Sequence, residues 1–345
     1  MDSWKGAFFE QGRQSIKIPV PVYIRASASI AGSKEGGGPL GDLFDMVGVD
    51  DKFGSNTWEE AESTLQKETL QIAIGKAGLN GEDIRFLLAG DLLAQSMASS
   101  FGLASFQIPL IGLYGACSTC GLSLAMAAAL IVGGMAQYVA SVTSSHFASA
   151  EKEFRYPLGY GNQRPLSSTW TVTGSGAFIL SSLKGKKDRA VITGLTIGKI
   201  VDLGMKDSMN MGACMAPAAS SLICQHFADF GRTPEDYDQI ITGDLGLVGQ
   251  RVLLDMLAEK GFDLSGKHMD CGIEIYDEKQ DAHAGGSGCG CSAVVLSAMI
   301  LKKLEEGEWK RVLFVPTGAL LSKTSFNEGK SIPGIAHALV LERCS

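Results

Sequence analysis

From residue 92 to residue 150 the chain contains no Asp, Glu, Lys or Arg. An uncharged stretch of that length raises the question of a membrane span. Its most apolar part, Leu122 to Val132, has only 11 residues, against the roughly 20 that a bilayer core requires. Gly133 and Gly134 end it, and Ser, Thr, Gln and Tyr are scattered through the rest. A short helix that is apolar all round belongs in the centre of a large fold. Other absences narrow the choice further. The start, Met1-Asp2-Ser3-Trp4-Lys5, carries no apolar signal region, so neither signal peptide nor transmembrane helix is expected. Basic residues are outnumbered, 30 Lys and Arg against 37 Asp and Glu, for a net charge of −7. That balance argues against nucleic acid, whose phosphates demand basic patches. The one dense basic run, Lys184-Gly185-Lys186-Lys187, reads as a solvated loop.

Eight cysteines are present without the spacing of a structural metal site. Cys117-x-x-Cys120, Cys289-x-Cys291 and His268-x-x-Asp270-Cys271 do not assemble paired Cys-x-x-Cys motifs, so no metal is expected. Without a secretory signal, these read as reduced, buried thiols in a cytosol-like compartment. The glycine-rich strings 36–38 and 285–288 fit neither a strand–GxGxxG–helix pattern nor a P-loop. They read as tight turns.

What is present is enough apolar matter for a large core: 45% hydrophobic residues and 19% charged in 345 residues, about two domains by length. The chain also repeats itself. Leu88-Ala89-Gly90-Asp91-Leu92 returns as Ile241-Thr242-Gly243-Asp244-Leu245. Gly115-Ala116-Cys117-Ser118 is matched by Gly285-Gly286-Ser287-Gly288, and Gly174 to Leu180 by Gly334 to Val340. Three matches in unchanged order predict two like halves, 1–182 and 183–345, rather than a solenoid. The first element assigned is a helix from the capping box Thr57-Trp58-Glu59-Glu60 to Ala77. Strands are predicted at 84–89, 138–143 and 177–181, with an irregular excursion over 145–170. In the second half strands are predicted at 191–198, 239–242, 312–316 and 335–341. Helices there are predicted over 216–230, stopped by Gly231, then 250–260 and 287–304. Strands alternating with helices make the fold class α/β.

Cys117 stands where the uncharged helix begins. A helix N-terminus carries partial positive charge, which favours thiolate. Acyl-transfer enzymes place a nucleophile this way and add a His or Asn to move protons and hold an oxyanion. Paired α/β halves with a Cys at the head of a buried helix resemble the thiolase and ketoacyl synthase superfamily. More closely, five strings resemble the stage V sporulation protein AD family. They are Leu88 to Leu93, Phe154-Arg155-Tyr156-Pro157, Thr171 to Gly176, Gly212 to Ala218 and Gly285 to Cys289. Pro39 to Asp45 and Thr317 to Ser322 fit it too.

The resemblance implies a thiolase-like fold, layered α-β-α-β-α. It implies binding of dipicolinic acid (pyridine-2,6-dicarboxylate), alone or as its calcium chelate, and help in loading it into the developing spore. The partners it implies are other stage V sporulation membrane proteins of the same operon, at the periphery of the spore inner membrane. A homodimer is expected, pairing through the strand at Tyr138 to Thr143. No cofactor is expected beyond that calcium. The superfamily nucleophile falls on Cys117, its first downstream His near Asp244, and its second His or Asn around Gly286-Ser287. A carboxylate cannot support an oxyanion at neutral pH unless it is protonated, and Ser is a poor base. Acyl transfer is therefore not expected. A Cys117-dependent acyltransferase and a non-binding dimeric scaffold remain the alternatives.

The candidate ligand-binding set is Cys117, Ser118, Thr119, His146, Arg155, Asp244, Ser287 and His337. Ser118 and Thr119 offer hydroxyls and N–H groups to a carboxylate, or simply cap the helix. Arg155 is a guanidinium clamp or a surface ion pair. His146 lines the pocket or a dimer contact, and His337 lies near the cavity mouth or is a core His. Asp91 and Asp244 occupy equivalent places, where each could instead fix the turn after its strand through local N–H groups.

Overall fold

The computed structural model describes residues 9–154 and 163–344. In the first half the strands are β1 (Ser15–Ala31), β2 (Phe86–Gly90), β3 (Leu110–Gly112), β4 (Tyr138–Ser145) and β5 (Gly174–Ser181). Its helices are α1 (Trp58–Ala77), α2 (Thr119–Val132) and α3 (Phe147–Phe154). In the second half come β6 (Ala190–Ile197), α4 (Met211–Phe230), β7 (Gln239–Thr242), α5 (Gly246–Ala258) and β8 (His268–Asp270). Helix α6 (Cys289–Val295) runs through a π turn (Leu296–Ile300) into α7 (Leu301–Glu306), followed by β9 (Arg311–Val315) and β10 (Gly334–Glu342).

The halves have the same topology. Strand order is β3-β2-β4-β5-β1 in the first and β8-β7-β9-β10-β6 in the second. In each, the first three strands are parallel and the last two antiparallel to their neighbours. The repeated strings occupy matching places: the ends of β2 and β7, the turns before α2 and α6, and the strands β5 and β10. Between the halves β1 pairs antiparallel with both β5 and β6, which joins the two sheets edge to edge.

Apolar patterning sets the layers. Leu70, Ala73 and Ile74 of α1 pack on the outer face of the first sheet, against Ala28, Leu87 and Val142. Helices α2 and α6 share one core with residues of both sheets, among them Leu124, Ala128, Phe178, Val294 and Leu339. Leu222 and Phe227 of α4 and Leu253 of α5 cover the other outer face. The layering is therefore α-β-α-β-α. The uncharged helix lies at the centre because a charge there would have to be desolvated. Among the described residues no helix is long and apolar enough to cross a membrane.

Local signals account for the boundaries. Glu60 N–H donates to Thr57 Oγ1 at 3.2 Å and Thr57 N–H to Glu60 Oε2 at 3.3 Å, a full capping box. Gly78 and Gly231 end α1 and α4 with φ of 66° and 61°, where a side chain would be strained. Helix α4 starts five residues before the expected Ala216, because Asn210 Oδ1 accepts from Ala213 N–H at 3.3 Å and caps it there. Part of the supposed irregular stretch 145–170 is helix α3. The strand expected to pair across a dimer axis, Tyr138 to Thr143, is interior. It is hydrogen-bonded to β2 on one side and β5 on the other, so it has no free edge.

Candidate functional site

The site forms at the carboxyl ends of β2 and β7, where the two central helices begin. Ala116 takes φ of 49°, left-handed for a non-glycine residue, a strained conformation held by its surroundings. Thr119 Oγ1 donates to Ala116 O at 2.6 Å and accepts from Gly115 N–H at 3.0 Å. Ser118 Oγ donates to Gly115 O at 2.6 Å. The hydroxyls of Ser118 and Thr119 thus fasten the turn, and neither residue lines either of the two cavities above Cys117. A Cβ added to Gly318 would lie 2.4 Å from Gly115 O, so glycine is required there for the two halves to meet behind Cys117.

Asp244 closes the site from the second half. Its Oδ2 accepts from Gly288 N–H at 2.9 Å and its Oδ1 from Thr317 Oγ1 at 2.8 Å. The Cys117 thiol hydrogen-bonds the same carboxylate. Burial drives the Asp244 pKa up to about 7, against the lowering by its three hydrogen-bond donors. Cys117 is held well above the ordinary thiol range, first by burial and then by the charge of Asp244. This corrects the expectation that the helix start would favour thiolate. A partial dipole charge is outweighed by desolvation and a full negative charge in contact.

The two equivalent aspartates have diverged. Asp91 does fix its own turn, accepting from Leu93 N–H at 2.9 Å and from Ser99 N–H and Oγ at 2.8 and 2.6 Å. In the second half that task falls to Asp270, which accepts from Leu245 N–H at 2.8 Å and Gly246 N–H at 2.9 Å. Asp244 is thereby released toward Cys117.

Above Cys117 is a small cavity of about 30 Å³, lined by Ala116, Cys117, Glu151, Thr171, Met211 and Ser287, among others. An outer cavity of about 410 Å³ lies beyond it, bordered by Gln95, Ser96, Glu153, Ser322, Lys323 and Thr324. Leu92, Tyr114, Phe154 and Leu321 line both, and so form the neck between them. Gln95 and Ser96 on the outer rim have φ of 56° and 52°, two successive strained residues of the kind that gather at functional sites.

Of the candidate residues, Cys117 and Ser287 share the inner cavity and Asp244 supports it from behind. His146 does not reach either cavity lining. Its Nε2 donates to Asp51 O at 2.6 Å and its Nδ1 accepts from Ala148 N–H at 3.1 Å, a satisfied core histidine. His337 is buried on β10, where Gly198 N–H donates to its Nδ1 at 3.4 Å. Burial lowers its pKa to about 4. It lines neither cavity. Arg155 lies outside the described residues. Sequence reasoning missed Tyr114, Glu151, Phe154, Thr317 and Leu321. Phe154 and the stretch Thr317 to Leu321 sit in strings singled out for their family resemblance, but no local signal says that these strings meet.

Comparison with known proteins agrees with this geometry. The family pattern for stage V sporulation protein AD matches residues 12–342. A protein of Bacillus subtilis (strain 168) named stage V sporulation protein AD is 45% identical over 332 residues, covering 96% of this chain and 97% of its own. The 3-oxoacyl-[acyl-carrier-protein] synthase III of Aquifex aeolicus VF5 superimposes with a TM-score of 0.57 at 14% identity, over 93% of this chain and 99% of its own. Human mitochondrial 3-ketoacyl-CoA thiolase, solved with CoA, gives 0.58 at 12% identity, over 95% and 99%. These distant likenesses establish a thiolase-like fold and leave function to the nearer ones. With the match running from β1 to the last strand, the chain belongs to the stage V sporulation protein AD family.

Proposed function

We propose that this protein is a non-catalytic member of its superfamily that binds dipicolinic acid and supports its uptake into the developing spore. It would do so beside other stage V sporulation membrane proteins, at the periphery of the spore inner membrane. The observation that carries the reading is the contact of Cys117 with Asp244 at the floor of a two-part cavity. Acyl transfer needs a thiolate and N–H donors aimed at a developing oxyanion, each donor worth about 2.7–4 kcal/mol. Here the neighbouring Gly288 N–H donates to Asp244 and is shared with the thiol, and burial and the carboxylate together oppose ionisation of the thiol. The cavity itself persists.

Size favours the outer chamber for the ligand. About 30 Å³ beside Cys117 is room for a water or two. About 410 Å³ falls in the range of small-molecule sites. Lys323 and Glu153 both border the outer chamber and Glu151 the inner one, so charge does not separate the two. On size, the ligand, free or as its calcium chelate, belongs in the outer chamber. Calorimetry with dipicolinate, with its calcium chelate and with isophthalate, which lacks the ring nitrogen, tests the reading. Binding of dipicolinate in either form with none of isophthalate is expected, and no heat from either form at millimolar concentration would overturn it. Intact mass spectrometry after incubation with acetyl-CoA checks the chemistry: an acyl adduct absent from Cys117→Ala would restore the enzyme reading.

A further inference from the structure

Further along the helix that begins beside Cys117, a second groove, about 400 Å³, opens between β1, the loop before β6 and the π turn. We propose that it binds the phosphate group of an anionic ligand. This goes beyond the reading above and does not depend on it. The chain carries a net charge of −7, yet basic residues gather here. Two of them are already paired, Lys76 with Asp45 and Arg189 with Glu305 at 2.8 Å. That leaves Arg25, Lys187 and Lys302 against Asp42 on the lining. Among the described residues Lys187 and Lys302 have neither an ion pair nor a hydrogen bond.

The floor is built rather than merely charged. Ser27 Oγ and Ser297 Oγ lie 2.7 Å apart. Arg189 Nη1 spans them, donating to Ser27 Oγ at 2.6 Å and to Ser297 O at 2.9 Å. One guanidinium is thus fixed at the bottom while two ammonium groups stand free at the rim. Ser297 lies within the π turn Leu296–Ile300. Such turns are rare in helices and concentrate at functional sites, and the Cys117 site does not use this one. Arg189, its Nη groups committed to Ser27, Ser297 and Glu305, keeps the floor in place, and the two ammonium groups supply point charge to a phosphate. The basic run Lys184 to Lys187, which reads as a mere solvated loop in the sequence, supplies part of the rim.

A phosphate of this kind could come from an anionic lipid headgroup or from a soluble phosphate, and the test separates them. The full chain is sedimented with phosphatidylglycerol–phosphatidylcholine vesicles and with phosphatidylcholine alone. In parallel it is titrated with glycerol phosphate and inorganic phosphate. Lys187→Glu/Lys302→Glu is compared with Lys206→Glu/Lys330→Glu, an equal charge reversal elsewhere on the surface. The groove variant is expected to lose at least tenfold in binding to anionic vesicles or to soluble phosphate, with the control unchanged. Loss confined to vesicles assigns a lipid headgroup, and loss confined to titration a soluble ligand. Equal loss in both variants, no loss in the groove variant, or no binding by the wild type to either probe would overturn the proposal. Both lysines are exposed, and matching melting curves would show that the variants fold.

Discussion

Cys117 and Asp244 act on each other as a pair. The carboxylate keeps the sulfur protonated, and the sulfur, with Gly288 N–H and Thr317 Oγ1, keeps the carboxylate in place. Their repulsion when both are ionised yields a specific expectation. The alkylation rate of Cys117, mapped by mass spectrometry against pH, should climb only above the range of a free thiol, whose pKa is about 8.5. Asp244→Asn removes the charge, so its profile should move to lower pH while burial remains. An inflection for the native protein below that of free cysteine would show the helix start to be the stronger influence. The sequence shows Asp91 and Asp244 as equivalent members of a repeat, but not their different tasks. Asp91 and Asp244 look alike in their strings, and only the placement of Asp270 under the second turn frees one of them.

At the scale of elements, strong local signals were readable and tertiary ones were not. The capping box of α1, the uncharged α2, strand β7 and the glycine stops all carry their cause within a few residues. Strand β1 does not. Its Pro19 and Pro21 argue against a central strand, yet they fall where its register with β6 shifts between Lys17 and Val22. A residue without an N–H is tolerated at such an irregularity. Helix α3 was hidden for a different reason. It is short, and Ser149 on it is held by a buried partner from α1, Glu62. That carboxylate accepts from Ser149 Oγ at 2.6 Å and from Ser144 Oγ at 2.8 Å. Burial, and then the neighbouring Asp91, raise its pKa to about 8 from the usual 4.5. The folded state therefore keeps a proton that the unfolded chain releases above about pH 4.5. Stability from this group falls as pH rises through that window and is level above about pH 8. Asp244 and Glu35, each raised to about 7 by burial, act in the same direction. The buried histidines His226, His268 and His337, lowered to about 3, 4 and 4 by burial, act the other way below about pH 6.5. Melting temperature should therefore decline between about pH 6.5 and pH 8, and Glu62→Gln should flatten that decline. Parallel profiles for the two proteins in thermal melts followed by circular dichroism would remove Glu62 from the account.

At the scale of the whole molecule, the first sheet ends in an exposed edge. Strand β3 pairs with β2 on one side, and no strand among the described residues covers its other side. Leu110 on that edge is 44% exposed, with Tyr114 at 48% and Met126 of α2 at 39%. An open edge with apolar neighbours invites pairing with another chain unless charge or proline blunts it; residues 92–150 supply no charge, and Pro109 stands just before the strand rather than within it. A two-fold axis beside β3 would let it pair with its own copy, extending one sheet through both subunits. The homodimer we propose therefore uses β3, ahead of the nucleophile helix, rather than β4, which is closed on both sides. Sedimentation at micromolar concentration should show a species of twice 36.4 kDa. Leu110→Lys places a charge on the edge and should shift the protein to monomer without lowering the melting temperature of the subunit. A native protein that sediments only at 36.4 kDa, or a Leu110→Lys variant that stays dimeric, would place the contact elsewhere or remove it.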